Sequence, residues 1–182
     1  MATAKQLVDI LAYVTGTRRN RVNQLARQMI NDGLLPISSG RDIKQVPPSS
    51  AALLMFAIAF SERVADASTV AKKMRNIPCT AEGGKRLGDV VAGVLSGEMT
   101  ASQIDLHRDS TGRFSATVHL ILPGGKKSQL QFYAKHGGGV FWQSTRSINN
   151  LGLRQIQYIL SRHDLPEGIE FAGIKTMEAD GV

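Results

Sequence analysis

Phe114-Ser115-Ala116-Thr117-Val118-His119-Leu120-Ile121-Leu122-Pro123-Gly124-Gly125-Lys126-Lys127-Ser128-Gln129-Leu130-Gln131-Phe132-Tyr133-Ala134-Lys135 is the stretch that decides the fold class. Phe114, Ala116, Val118, Leu120 and Leu122 alternate with Ser115, Thr117, His119 and Ile121, the period of two expected of a strand with one buried face. Pro123-Gly124-Gly125 makes a turn, after which Leu130, Phe132 and Ala134 oppose Gln129, Gln131, Tyr133 and Lys135. Upstream, Ile104 and Leu106 alternate and Asp109-Ser110-Thr111-Gly112 reads as another turn, so the region predicts an antiparallel meander. Gly137-Gly138-Gly139 then breaks the pattern and Val140-Phe141-Trp142 predicts a short fourth strand. Asn149 or Asn150 caps a helix carrying Leu153, Ile156, Ile159 and Leu160, which would cover the sheet.

Before about residue 100 the period is helical. Leu7, Ile10, Leu11 and Val14 mark a helix ending near Gly16, and Thr17 is placed to cap a second helix from Arg18. Gly33 ends that helix, and Leu34-Leu35-Pro36 returns the chain to the core. Pro48 with Ser49 or Ser50 opens a helix through Phe60 that is apolar all round. Asp66 or Ser68 caps a short helix around Val70 to Met74, and Leu87, Val90, Val91, Val94 and Leu95 trace another that ends at Gly97. The expectation is an α+β fold: an all-α helix-turn-helix half over residues 1–100, then over residues 101–182 a three- to four-stranded antiparallel β-meander covered by a C-terminal helix, with an acidic tail. Each half is near the lower size limit for folding alone, so a shared core is the alternative to two domains.

The chain has 182 residues, 42% hydrophobic and 20% charged, an ordinary globular composition, with a net charge of +7. Residues 165–182 hold four acidic side chains against one lysine, a net of −3, so the preceding residues stand at +10. That excess favours a polyanionic partner, because clustered Lys and Arg release counterions from a phosphate backbone. The acidic segment either folds back on the basic surface or is a solvated tail. Cys79 stands alone, which excludes an intrachain disulfide and suits a reducing compartment. Met1 to Val14, with Lys5 and Asp9 inside it, reads as amphipathic rather than as a secretory leader. The longest apolar run, Ala51 to Phe60, is about half of a membrane span, so a cytoplasmic protein with no membrane partner is expected.

The helix from Arg18 carries the chemistry. Val22, Leu25, Ala26, Met29 and Ile30 recur at offsets of three and four and form one apolar stripe. Asn20, Gln24 and Arg27 fall opposite it, flanked by Asn23, Arg21 and Gln28. Arg matches guanine O6/N7 and Asn or Gln matches adenine N6/N7, so this face carries the groups of direct base readout. Arg18, Arg19 and Arg21 crowd the helix start, where backbone N–H groups and the dipole also favour phosphate. A solvated basic face has the same composition. Arg41 and Lys44 lie in a turn-rich stretch that reads equally as a phosphate-touching wing and as a plain linker. On the sheet, Thr117, His119, Tyr133 and Lys135 would line an open surface able to stack a base, although cross-strand pairing accounts for them more simply.

Enzyme signatures fail. His107-Arg108-Asp109 lacks the Gly-rich loop and Asp-Phe-Gly of a kinase, and His136-Gly137-Gly138-Gly139 lacks the Gly-x-Ser-x-Gly that supplies an esterase nucleophile. Gly84-Lys85 and Gly125-Lys126 lack the earlier glycine of a P-loop. The histidines at 107, 119, 136 and 163 are widely spaced and Cys79 is single, so neither a metal site nor a cofactor is expected. No catalytic residue is assigned.

Arg19-x2-Val22-x2-Leu25-Ala26-Arg27-Gln28-Met29-Ile30-x2-Gly33-Leu34-Leu35-Pro36, followed by a loop and an Ala-rich helix, resembles the helix-turn-helix segments of small prophage and mobile-element proteins. The resemblance covers roughly the first third. It implies a double-stranded DNA-binding protein of phage type, a transcriptional regulator or the DNA-recognising subunit of a packaging machine. The expected assembly is a homodimer or a higher homo-oligomer, with the second half serving self-association or a partner. A structural or inhibitory protein-interaction module, such as a virion component or host-factor inhibitor with a basic docking face, is the rival expectation.

Overall fold

Thr3 starts the first helix with a reciprocal cap: its side chain accepts from Gln6 N at 3.3 Å and Gln6 Oε1 accepts from Thr3 N at 2.9 Å. The computed structural model describes residues 2–37, 44–80, 84–133 and 142–161. The expectations at Arg41, Ala134, Lys135, His136, 137–141, His163 and the acidic segment 165–182 lie outside the described residues.

Helix α1 (Ala4–Thr15) ends at Gly16 with φ +65°, a conformation that costs glycine little. Helix α2 (Arg19–Asn31) follows after the three residues Gly16, Thr17 and Arg18. Thr17 is not its cap: Arg18 takes that position without a side-chain bond, and the Thr17 hydroxyl lies 3.0 Å from that of Thr15. At the far end Gly33 adopts φ +72°, with Leu34 N donating to Met29 O at 2.8 Å and Gly33 N to Ile30 O at 3.0 Å. This paired closure satisfies carbonyls that a helix end otherwise leaves bare, and it sends Leu35 into the core.

Helix α3 (Pro48–Phe60) opens with proline at its first turn and buries every residue from Ala51 to Ala57. A 3-10 turn, Val64–Asp66, leads into α4 (Ala67–Arg75), and α5 (Leu87–Ser96) ends at Gly97 with φ +86°. Neither expected cap acts on α4. Asp66 precedes the helix, but its carboxylate accepts from Arg63, and the Ser68 hydroxyl is drawn out of the helix to the Asp32 carboxylate.

Strands β1 (Ala101–Asp109), β2 (Phe114–Ile121), β3 (Lys127–Tyr133) and β4 (Trp142–Asn149) form one sheet of order β3-β2-β1-β4, with every neighbouring pair antiparallel. Asp109 builds the first turn: its carboxylate accepts from Thr111 N, Thr111 Oγ1 and Arg113 N at 2.7–2.9 Å. Those bonds, Thr111's foremost, hold the buried carboxyl below the usual range against the opposing effect of burial. The fourth strand corrects the sequence expectation. It is eight residues long and returns to the far side of β1 instead of extending the meander. Ser144, Thr145, Arg146 and Ser147 give it no apolar alternation, as is common for an edge strand, and of its described side chains only Ile148 is buried.

Helix α6 (Asn150–Ser161) is capped by Asn149, whose Oδ1 accepts from Gly152 N at 3.0 Å, as expected. It packs on α1, α5 and β1. A Cβ at Gly152 would stand 2.6 Å from Val14 Cγ1, so the α6 backbone touches α1 directly. Ile104, Leu106, Ala116, Val118, Leu130 and Phe132 line the covered face of the sheet and join one apolar cluster with Leu11, Leu25, Leu54, Phe56 and Ile156. The fold is α+β, and helices from both ends of the chain share its core.

Candidate nucleic-acid interface

Each residue turns an α-helix by about 100°, so Asn20, Gln24, Arg27 and Asn31 fall on one stripe of α2, opposite Val22, Leu25 and Met29. All four polar residues are exposed, and the three apolar ones are no more than 1% exposed. Arg18 and Arg19 are exposed at the helix start. Asn20, Gln24, Arg27, Asn31 and Arg18 make no side-chain hydrogen bond or ion pair among the described residues. Asn31 was not singled out in the sequence, although its place four residues past Arg27 continues the stripe.

The other expected residues divide. Arg21 points along the flank of α2 and its guanidinium donates to Ser61 O at 2.8 Å and Glu62 O at 2.7 Å, just past the end of α3. A cation there meets both unpaired carbonyls and the negative end of the helix dipole, so Arg21 ties α2 to α3. Gln28 donates to both Asp32 carboxylate oxygens at 3.1–3.2 Å. Asp32 also accepts from Ser68, and these bonds, Ser68's first, hold its carboxyl below the usual range. Arg19 pairs with Asp9 of α1, with more than half of its side chain still in solvent. Asn23 is half-buried, and Lys44 is exposed in the segment before α3.

Between α1 and α2 runs a groove of about 350 Å³ with a floor of Ala4, Val8, Ala26 and Ile30. Lys5, Arg19, Asn23 and Arg27 rim it. Lys5 sits on a different helix, and only folding brings it beside Arg27. The stripe thus lies between a cationic groove on one flank and the Arg21–Ser61 junction on the other.

The outer sheet face is polar too, but its groups are spent on each other. Asp105 accepts from Ser147, from Gln103 at 2.7 Å and from His119 Nε2 at 2.9 Å, while Gln129 Nε2 meets His119 Nδ1 at 3.0 Å. Burial pushes the Asp105 carboxyl up, and the bonds from Ser147, Gln103 and His119 outweigh it, leaving a net shift below the usual range. His107 bonds Thr145 at 3.0 Å, and burial pulls its imidazole pKa down against the attraction of Asp105. Tyr133 is exposed at one edge of this face. Among the described residues the His119 imidazole bonds Asp105 and Gln129 and no hydroxyl, since Ser147 meets the other carboxylate oxygen of Asp105.

Among the described residues no cluster of three His, Cys, Asp or Glu side chains converges as a metal site, and no helix is long and apolar enough to cross a membrane. Compared with protein families, with curated proteins and with solved structures, the chain matches none.

Proposed function

We propose that the outer stripe of α2 reads double-stranded DNA, in a sequence-specific DNA-binding protein of phage or prophage type that regulates transcription or recognises DNA for packaging. The observation that carries this reading is the exposed row Asn20, Gln24, Arg27, whose side chains have no partner among the described residues. Amide and guanidinium groups without internal partners lose water on binding, and base edges return the hydrogen bonds. A helix about 10–12 Å across suits a major groove about 12 Å wide. Arg18 and Arg19 at the positive end of the helix, with Lys5 on the same groove as Arg19, suit phosphate. The protein works in the cytoplasm as a homodimer, the arrangement that two-fold half-sites require.

Selection of bound fragments from random duplex DNA, followed by salt titration of the selected site, tests this reading. Enrichment of a defined site and a steep fall of log K with log salt are expected. Absence of duplex affinity even at low salt overturns it. The apolar floor of the α1–α2 groove favours one rival, an inhibitory or structural module docking an acidic protein surface. That module would stay indifferent to DNA in the same titration.

A further inference from the structure

The two edges of the sheet differ. Beside β3 the chain at Cys79–Thr80 bridges Phe132, with Thr80 N donating to Gln131 O at 2.9 Å. Beside β4 lies instead a cleft of about 230 Å³, where the end of α1, the last turns of α3 and the sheet meet. Val14, Ile58 and Ala59, all half-buried, form its apolar wall over the buried Met55, Leu106 and Ile148, and Thr15, Thr17 and Arg146 its polar rim.

All four successive residues from Thr145 to Ile148 line this cleft. Side chains alternate faces along a strand, so a pocket on one face would take every second residue. The cleft therefore lies against the edge of β4 that is free among the described residues, where backbone groups not paired to β1 point outward. Arg146 stands opposite Leu106 in the β1–β4 register, and directly opposed residues share a face, so its stem leaves from the apolar side. Its guanidinium is exposed and makes no hydrogen bond or ion pair among the described residues. Apolar walls, one unpaired cation and edge N–H groups are the elements of a site for an anion with an apolar body.

We propose that this cleft binds a small amphipathic carboxylate, its apolar body against the half-buried Val14, Ile58 and Ala59 and its carboxylate on Arg146. A planar carboxylate matches a guanidinium bidentately, and its single charge balances the one cation among the described rim residues. The volume corresponds to about eight waters' share of liquid, enough for one substituted ring. Thr15 and Thr17 flank the turn between α1 and α2, so an occupant touches the segment that sets the angle of α2. The site stands apart from the reading of the α2 stripe, because Asn20, Gln24 and Arg27 do not line it.

Sodium benzoate is the probe, followed by amide NMR shifts and calorimetry on the full chain. Saturable binding in the millimolar range is expected, with shifts concentrated at Thr15, Thr17 and Thr145–Ile148. Arg146→Ala should weaken it about tenfold or more, the scale of a lost charge-assisted pair, whereas Arg27→Ala leaves it unchanged. Arg146 is exposed, so its replacement spares the core, and an unchanged amide spectrum away from the cleft verifies this. Benzyl alcohol, which keeps the ring and drops the charge, should bind at least about tenfold more weakly. Absence of saturable shifts with benzoate, equal affinity in Arg146→Ala, or equal affinity for benzyl alcohol would each overturn the proposal.

Discussion

The outer stripe of α2 and the outer face of the sheet are both polar, both carry amides, and both look in the sequence like surfaces for nucleic acid. Their internal accounting is opposite. On the sheet, Gln103, Asp105, His119, Gln129 and Ser147 bond one another across four strands. On α2, Asn20, Gln24 and Arg27 bond nothing among the described residues. A polar group already satisfied gains little from a new partner, because each new bond replaces an existing one. An open group held on a rigid helix exchanges only water. The contrast supports the recognition role proposed for the helix and leaves the sheet face to stiffening.

The largest expected effects break the comparison from the helix side. On a DNA site recovered by selection, Gln24→Ala and Arg27→Ala should each cost about 1–3 kcal/mol, with relaxed discrimination at one base position. Arg18→Ala and Arg19→Ala should weaken all sequences alike and reduce the salt slope by about one. Competition binding against mismatched duplexes separates the two behaviours. If all four variants lose affinity equally and without regard to sequence, the stripe supplies charge alone.

Arg21 sharpens the comparison within α2 itself. It was expected to hold phosphate, but it donates to two carbonyls past α3, so Arg21→Ala should cost about 1.5–3 kcal/mol of folding stability, the range for hydrogen bonds to a charged group. Chemical denaturation of Arg21→Ala beside Arg18→Ala tests this, and equal midpoints would show that the carbonyl clamp contributes nothing. His119→Ala gives a smaller effect from the sheet side. Cross-strand pairs contribute about 0.2–1 kcal/mol, and DNA affinity should not change. A loss of affinity in His119→Ala with stability intact would move recognition onto the sheet.

How much of this was legible in the sequence follows from the range of each signal. Helices α1, α2, α3 and α5 and strands β2 and β3 were legible because apolar period, glycine and proline are local. Strand β4 was not, since Ser144 to Ser147 carry no alternation and the strand is held by pairing with β1, about forty residues earlier. The exposed stripe of α2 was readable by the same periodicity that buried Val22 and Met29. The partners of its flanks were not. Arg21 finds carbonyls forty residues away, and Lys5 meets Arg27 only because α1 lies along α2. Composition names the candidates, and tertiary contacts give some of them partners inside the protein.

The smallest expected effect tests whether the sheet network is as closed as its geometry indicates. The Asp105 carboxyl is held below its usual range in the folded protein, whereas in the unfolded chain it titrates near about 3.9. The unfolded state therefore binds more protons in that window, and stability rises with pH through it. The contribution is complete above the unfolded value and is lost as pH falls through the lower, folded one. Asp105→Asn removes the titration, so its stability should change less than that of the parent between about pH 5 and pH 2. The one amide oxygen still accepts from Gln103 and Ser147, and the amide N–H donates to His119 Nε2 once the ring carries its proton on Nδ1 and the Gln129 amide turns its oxygen toward it, which preserves the fold for the comparison. Urea midpoints of both proteins across that range measure the difference. Parallel curves would mean that Asp105 is no better bonded in the sheet than in the unfolded chain, and the contrast between the two faces would then rest on the helix alone.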